Sequence, residues 1–78
     1  MFKPTDLIRL SPSMSSIPMM GTCVFYRDDH VGDLKTGEIG LVLQVQVIDE
    51  FNSSPYRKYR ILKGGISGWI RGELIEKV

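Results

Sequence analysis

The clearest feature of the chain is an alternation of apolar and other positions between residues 38 and 48. Apolar side chains recur there at every second position, and the intervening residues are of mixed polarity. Successive side chains of a β-strand point to opposite faces, so a period of two is typical of a strand. The pattern predicts a long strand with one buried face, formed by Ile39, Leu41, Leu43, Val45 and Val47.

Shorter stretches rich in β-branched, aromatic and alternating apolar residues predict further strands. No stretch has apolar residues at the i, i+3, i+4, i+7 spacing of a helix, so a long helix is not expected. Between residues 57 and 63, Tyr59 and Ile61 share the predicted core face, and Lys58 and Arg60 share the solvated face. The predicted short strands cover residues 3–10, 22–26, 57–63, 66–71 and 75–78.

Turn-forming residues separate these strands. Residues 11–22 hold four serines, two prolines and a glycine, which predicts a long loop, and the aspartates of 27–36 predict a polar turn. A second turn is expected at 49–55, and Gly64-Gly65 is typical of a tight hairpin. Short strands separated by such turns indicate an all-β domain, closed or nearly closed as a barrel.

Length and composition limit the possible functions. The 78 residues are enough for one domain, spanning 1–78, and net charge is +1. The single cysteine, Cys23, excludes an intrachain disulfide, and with one histidine a structural zinc site is not expected. The N-terminus lacks the pattern of a secretion signal and no apolar run is long enough for a membrane span, so we expect a cytoplasmic protein with no membrane partner.

The stretch from Gly64 to Ile75, GGISGWIRGELI, resembles the last hairpin of SH3-type domains. Bacterial SH3 domains in particular close on a Gly-Trp-aliphatic step followed by a leucine, to which Gly68, Trp69, Ile70 and Leu74 are similar. The opening segment 3–10 and the stretch 35–42 also resemble strands of small SH3-like barrels. The same layout occurs in small proteins encoded by bacteriophages.

The resemblance implies a small SH3-like barrel of about five short antiparallel strands with a long N-terminal loop. It implies a binding module and not an enzyme, and a place in the virion if a phage encodes the chain. Eukaryotic SH3 domains that bind proline-rich peptides have an aromatic first loop and a proline in the final turn. Here residues 11–22 hold no aromatic and Arg71 stands at the position of that proline, which argues against a proline-rich ligand.

The sequence argues against both a catalytic site and a metal site. His30 lies in an Asp-Asp-His turn, where a solvated histidine is expected, and Cys23 lies on a predicted strand as a small hydrophobe. The acidic positions do not have the spacing of a calcium loop. We therefore expect no catalytic residue, metal, cofactor or small-molecule substrate. The acidic and histidine positions considered are Asp28, Asp29, His30, Asp33 and Glu38.

Two surfaces are candidates for a partner, and the sequence leaves both open. The methionines of the 11–22 loop form either a lid over the barrel or an adaptable contact surface, because methionine repacks easily. Residues 57–78 hold six basic and two acidic residues, and their aromatics suit a nucleic-acid stacking platform. We expect a protein partner or self-assembly, with nucleic acid or a cell-wall ligand as alternatives. The predicted contact residues are Met14, Met19, Met20, Lys58, Arg60, Trp69 and Arg71.

Overall fold

The described part of the chain forms seven antiparallel strands and one 3₁₀ turn. The computed structural model describes residues 1–22, 29–49 and 55–78. A 3₁₀ turn at Gly72–Leu74 separates the last two strands. The strands are β1 (Leu7–Leu10), β2 (Ser16–Met20), β3 (His30–Lys35), β4 (Ile39–Ile48), β5 (Tyr56–Lys63), β6 (Ile66–Arg71) and β7 (Ile75–Lys77).

All strands belong to one sheet, in the order β3-β2-β6-β5-β4-β1-β7. The sheet curls into a half-barrel, so that β3 approaches β1 and β6. The all-β prediction is confirmed, and the described residues form seven strands where about five were predicted. None of the described residues belongs to a helix long and apolar enough to cross a membrane.

The concave face of the sheet carries the hydrophobic core. Buried and exposed positions alternate along β1 and β2, as expected for strands with one face in the core. The predicted pairing of Tyr59 with Ile61 on the core face of β5 is confirmed. Each such side chain contributes about 1.5–3 kcal/mol when it is fully buried. The core consists of Ile8, Leu10, Ile17, Met19, Leu34, Val42, Tyr59, Ile61, Ile70 and Ile75.

Strand β4 confirms the long strand predicted for residues 38–48, but its buried face is different. A register shift between Val42 and Gln44 marks a β-bulge, in which one strand contributes an extra residue. Before the bulge Gly40 and Val42 point inward, and after it Val45 packs against the core. The inward-facing residues therefore have even numbers before the bulge and odd numbers after it. The prediction that the odd-numbered residues form one buried face along the whole strand is wrong. Ile39, Leu43 and Val47 are exposed.

Two predicted connections contain strands. The loop predicted over 11–22 includes β2, whose Ile17 and Met19 are buried, and the turn predicted over 27–36 includes β3. The two strands pair with each other from Ser16↔Lys35 to Met20↔His30, so tertiary pairing overrides their turn-rich composition. Of the strand predicted at 22–26, Thr22 lies in a bend and 23–26 lie outside the described residues, as do 50–54 of the turn predicted at 49–55.

A lysine holds the β5–β6 hairpin against β3. The Lys63 ammonium donates to the Asp33 backbone carbonyl at 2.7 Å and to the Glu38 carboxylate at 3.2 Å. The same carboxylate accepts a 2.7 Å hydrogen bond from the Lys35 backbone N–H. This backbone bond, followed by the bond from Lys63, holds the pKa of the Glu38 carboxyl below its usual value.

Glu38→Gln is expected to lower the melting temperature at pH 7 by a few degrees. A carboxyl with a depressed folded-state pKa stabilises the fold above its unfolded pKa of 4.5, and this contribution is lost as pH falls through the lowered pKa. The melting temperatures of wild type and variant should therefore converge in acid. Lys63→Met is the matched variant: it leaves the Lys35 bond intact and should keep part of the acid dependence. A constant difference between wild type and Glu38→Gln from pH 7 to pH 2 would contradict this assignment.

Candidate functional site

A hollow in the described surface lies between β2 and β6. Among the described residues these strands are paired only at Met20↔Trp69. They separate toward Ser16 and Arg71, and the gap forms a groove of about 470 Å³. We call it the β2–β6 groove. Its described lining consists of Met14, Ser16, Ile17, Pro18, Met20, Lys58, Trp69, Ile70, Arg71 and Leu74.

Gly68 and Pro18 account for the single paired position of β2 and β6 and for the separation of the two strands beyond it. At Gly68 the backbones approach so closely that an added Cβ would lie 2.7 Å from the Met19 Cβ, so only glycine allows this contact. Pro18 lies in the part of β2 that has left β6. Because proline has no N–H to donate, it suits a stretch of strand with one free edge.

Trp69 is the central side chain of the groove wall. It lies opposite Arg60 of β5 on one side and opposite Met20 of β2 on the other. Its neighbours along β6, Gly68 and Ile70, point into the core, so the indole lies on the convex face of the sheet. The partly exposed indole is therefore flanked by a thioether and a guanidinium.

The floor of the groove is formed by the core itself. Ile17 and Ile70 line the groove although both are buried, because the gap between the strands opens toward the concave side. Met14 and Leu74 are partly buried and pack against the same core. The floor and the β2 wall are thus largely apolar.

The β5–β6 wall carries positive charge. The Arg71 guanidinium lies 4.2 Å from the centre of the Tyr56 ring, and its Nε is 2.6 Å from Oε1 of Glu73. Stacking on an aromatic ring and an ion pair both restrict the orientation of an arginine. Arg71 is therefore held in place at the end of the groove.

Lys58 and Arg60 have different environments, although the sequence predicts one solvated face for both. Arg60 is exposed, as predicted, and donates to the Ser67 hydroxyl at 3.1 and 3.3 Å. Only 5% of the surface of Lys58 is exposed to solvent, so the prediction that this lysine is solvated is wrong. Lys58 lies opposite Arg71 in the register and is one of the residues that line the groove.

The structure brings together five of the seven contact residues predicted from sequence: Met14, Met20, Lys58, Trp69 and Arg71 all line the groove. Arg60 lies next to it, beside Trp69. Met19 is a correction: its side chain is fully buried in the core, because the supposed loop is a strand whose odd positions point inward. It presents no side chain to a partner.

Comparison with protein families, curated proteins and solved structures finds no match to this chain.

The groups considered for catalysis or metal binding are not assembled into a site within the described ranges. His30 Nε2 lies 2.9 Å from Oδ1 of Asp33, and both side chains are close to half exposed. Within the described part of the chain, no three His, Cys, Asp or Glu side chains are grouped so as to hold a metal ion. The predicted positions Cys23 and Asp28 lie outside the described residues.

A second hollow, of about 320 Å³, lies where the N-terminus folds back on β5. The Phe2 backbone N–H donates to the Tyr59 hydroxyl at 3.3 Å, and the two rings meet edge to face at 5.2 Å. The sequence pattern predicts neither this hollow nor the contribution of Ile17 and Ile70 to the groove floor. The alternation of Ile17 and Met19 is the signal that could have indicated β2.

Proposed function

We propose that the chain is a non-enzymatic protein-binding module with an SH3-like barrel fold, and that the β2–β6 groove receives apolar side chains of a partner protein. The observation that carries this proposal is the composition of the groove. Partly exposed Met14, Met20, Trp69 and Leu74 surround one hollow whose floor is core isoleucine. Binding pockets are concave and mostly apolar with a few polar groups, and tryptophan and arginine dominate binding energy at protein interfaces.

The SH3-like assignment is supported by the end of the chain. A two-glycine turn at Gly64-Gly65 joins β5 to β6, both glycines have positive φ, and the 3₁₀ turn separates β6 from β7. This is the order of elements on which the sequence resemblance rests. By the same resemblance, we propose that the module is an accessory piece that docks on a larger assembly such as a bacteriophage particle.

A nucleic-acid-binding barrel is the second candidate. It is favoured by the register of Arg60 beside Trp69 and by the stacking of Arg71 on Tyr56, since bases stack on exposed aromatics next to cations. The burial of Lys58 and the apolar floor favour the protein partner, because phosphates need accessible cations. Cell-wall recognition remains a prediction of the resemblance alone.

Trp69→Ala is expected to weaken groove-dependent peptide binding by at least about tenfold, because hot-spot residues typically cost about 2 kcal/mol or more on truncation. The ligands are linear peptides selected from a random displayed library on the immobilised full chain. Affinity is measured by calorimetry, and thermal melting monitored by circular dichroism establishes that each variant is folded.

Met20→Ser should weaken the same peptides, whereas Leu7→Ser, which changes an exposed apolar residue of β1 outside the groove lining, should not. Since Trp69 is the only tryptophan of the chain, its fluorescence in the wild type also reports directly on occupancy of the groove. Selected peptides that bind all three folded variants with wild-type affinity would place the binding site elsewhere and overturn the proposal.

A further inference from the structure

We infer that the natural occupant of the β2–β6 groove is an extended segment of another protein chain in which apolar and acidic side chains alternate. This inference rests on the proposed protein-binding function and specifies the chemistry of the partner. It follows from three features of the groove: its strand edges, its two unlike faces and its charge.

The groove is bordered by one edge of β2 and one edge of β6. In the described part of the chain β2 and β6 share a single paired position, while β2 pairs on its other side with β3 and β6 pairs on its other side with β5. The groove is thus a gap within a sheet. Along it, β2 is paired with β3 alone and β6 is paired with β5 alone. Buried backbone N–H and C=O groups require hydrogen-bond partners, and an added strand is a common way in which a protein segment supplies them.

The groove has unlike chemistry on its two faces. A segment lying between β2 and β6 would direct alternate side chains toward the concave and convex sides of the sheet. On the concave side it would meet the buried isoleucines Ile17 and Ile70. On the convex side it would meet the row formed by Trp69, Arg71 and the adjacent Arg60. The occupant therefore needs apolar side chains at every second position and polar ones between them.

Charge selects acidic residues for those polar positions. Arg60 is the exposed cation beside the groove, and among the described residues it donates to the neutral Ser67 hydroxyl. Arg71 lies on the same face and is already paired with Glu73, and Lys58 is buried, so Arg60 is the cation that an acidic side chain of the occupant would meet. Charge is also unevenly distributed along the chain, since residues 1–56 hold seven acidic and four basic residues, whereas residues 57–78 hold two acidic and six basic residues. Complementary charge contributes to specificity and to the rate of association.

The inference is tested on the sequences of the peptides that the full chain selects from an unbiased library. We expect enrichment of Asp and Glu alternating with Leu, Ile, Val or Phe. The best such peptide should bind Arg60→Glu at least about tenfold more weakly than wild type, and replacing its acidic residues by lysine should restore binding to this variant. Lys3→Glu makes the same charge change on an exposed residue that does not line the groove and should leave the affinity unchanged.

The binding mode is tested by amide hydrogen exchange of the complex. An added strand should raise the protection of those alternate backbone amides of β2 and β6 that point into the groove and not toward β3 or β5. Binding without such protection would overturn the extended conformation.

The outcomes separate this inference from the function on which it rests. Peptides that require Trp69 but are neutral or basic would overturn the acidic occupant and leave the protein-binding function standing. Failure to select any peptide that requires Trp69 would overturn both. A single-stranded oligonucleotide that binds more tightly than any peptide, and does so through Trp69, would replace the protein occupant by a nucleic acid.

Discussion

Tyr59→Ala should lower the free energy of unfolding by about 3–5 kcal/mol, the range observed when a large buried aromatic side chain is truncated. Tyr59 is the largest fully buried side chain among the described residues, with 2% of its surface exposed, and it lies in the centre of β5. Its ring packs against Phe2 at 5.2 Å, and an added Cβ at Gly72 would lie 2.5 Å from the ring carbon Cε2. Truncation would thus detach the N-terminus and the 3₁₀ turn from the core as well as open a cavity.

The expected loss approaches the whole stability of a domain of this size, since stable domains unfold with about 5–15 kcal/mol and small ones lie near the lower limit. Urea denaturation followed by circular dichroism measures the change. Tyr59→Phe is the matched control: it keeps the ring and removes only the hydroxyl that accepts the Phe2 N–H, so about 1 kcal/mol or less is expected. An alanine variant no less stable than the phenylalanine variant would show that the ring is not a central core element.

Gly40→Ala is expected to destabilise the protein by about 1–3 kcal/mol, although alanine is otherwise acceptable in a strand. Gly40 is buried on the inward face of β4, and a Cβ there would overlap Cγ2 of Ile61 and lie 3.3 Å from Cδ1 of Ile8. Both isoleucines are completely buried, so neither can move away without displacing further core atoms. The variant is measured by urea denaturation under the conditions used for Tyr59.

Two further variants identify overlap with Ile61 as the cause. Gly32→Ala, also in a strand, would bring its Cβ to an ordinary 3.6 Å from Ile66 and should change stability by less than about 0.5 kcal/mol. Ile61→Ala removes the overlapping methyl, so Gly40→Ala should cost less in that background than in the wild type. Strictly additive effects of the two substitutions would exclude the overlap as the source of the destabilisation.

The sequence predicts those strands whose local pattern agrees with their tertiary environment. The β5–β6 hairpin is an example, because Gly64-Gly65 supplies the turn and the core residues Tyr59 and Ile61 alternate with Lys58 and Arg60. β2 and β3 were missed because their composition is that of turns. They are strands because each supplies the other with hydrogen-bond partners, and such pairing leaves no trace in composition.

The buried face of β4 was predicted wrongly for a different reason. An uninterrupted run of alternating apolar residues contains no local sign of a bulge, since the extra residue Leu43 is itself apolar. Only the partner strand reveals it, where Ile61 opposes Val42 and Arg60 opposes Gln44. Registers of this kind depend on both strands and cannot be obtained from one alone.

The residues predicted to contact a partner mostly line one groove, but the structural reason for the groove was not predicted. Methionine, tryptophan and arginine were selected for their general value at interfaces, and most of those residues line one groove. The sequence could not show that the groove is a separation between two strands. It also could not distinguish Met19 from Met20, because that distinction requires knowing that β2 is a strand with its odd positions in the core.

The bulge in β4 also bears on how the length of this chain can vary. If the codon for Leu43 were absent, Gly40, Val42 and Val45 would follow one another in strict alternation on a single face. The loss of one amino acid from the middle of this strand would thus preserve its inward-facing set, whereas in an uninterrupted strand it would reverse every side chain beyond that point. Related genes can therefore differ by a single codon in β4, and the same side chains of the strand would still face the core.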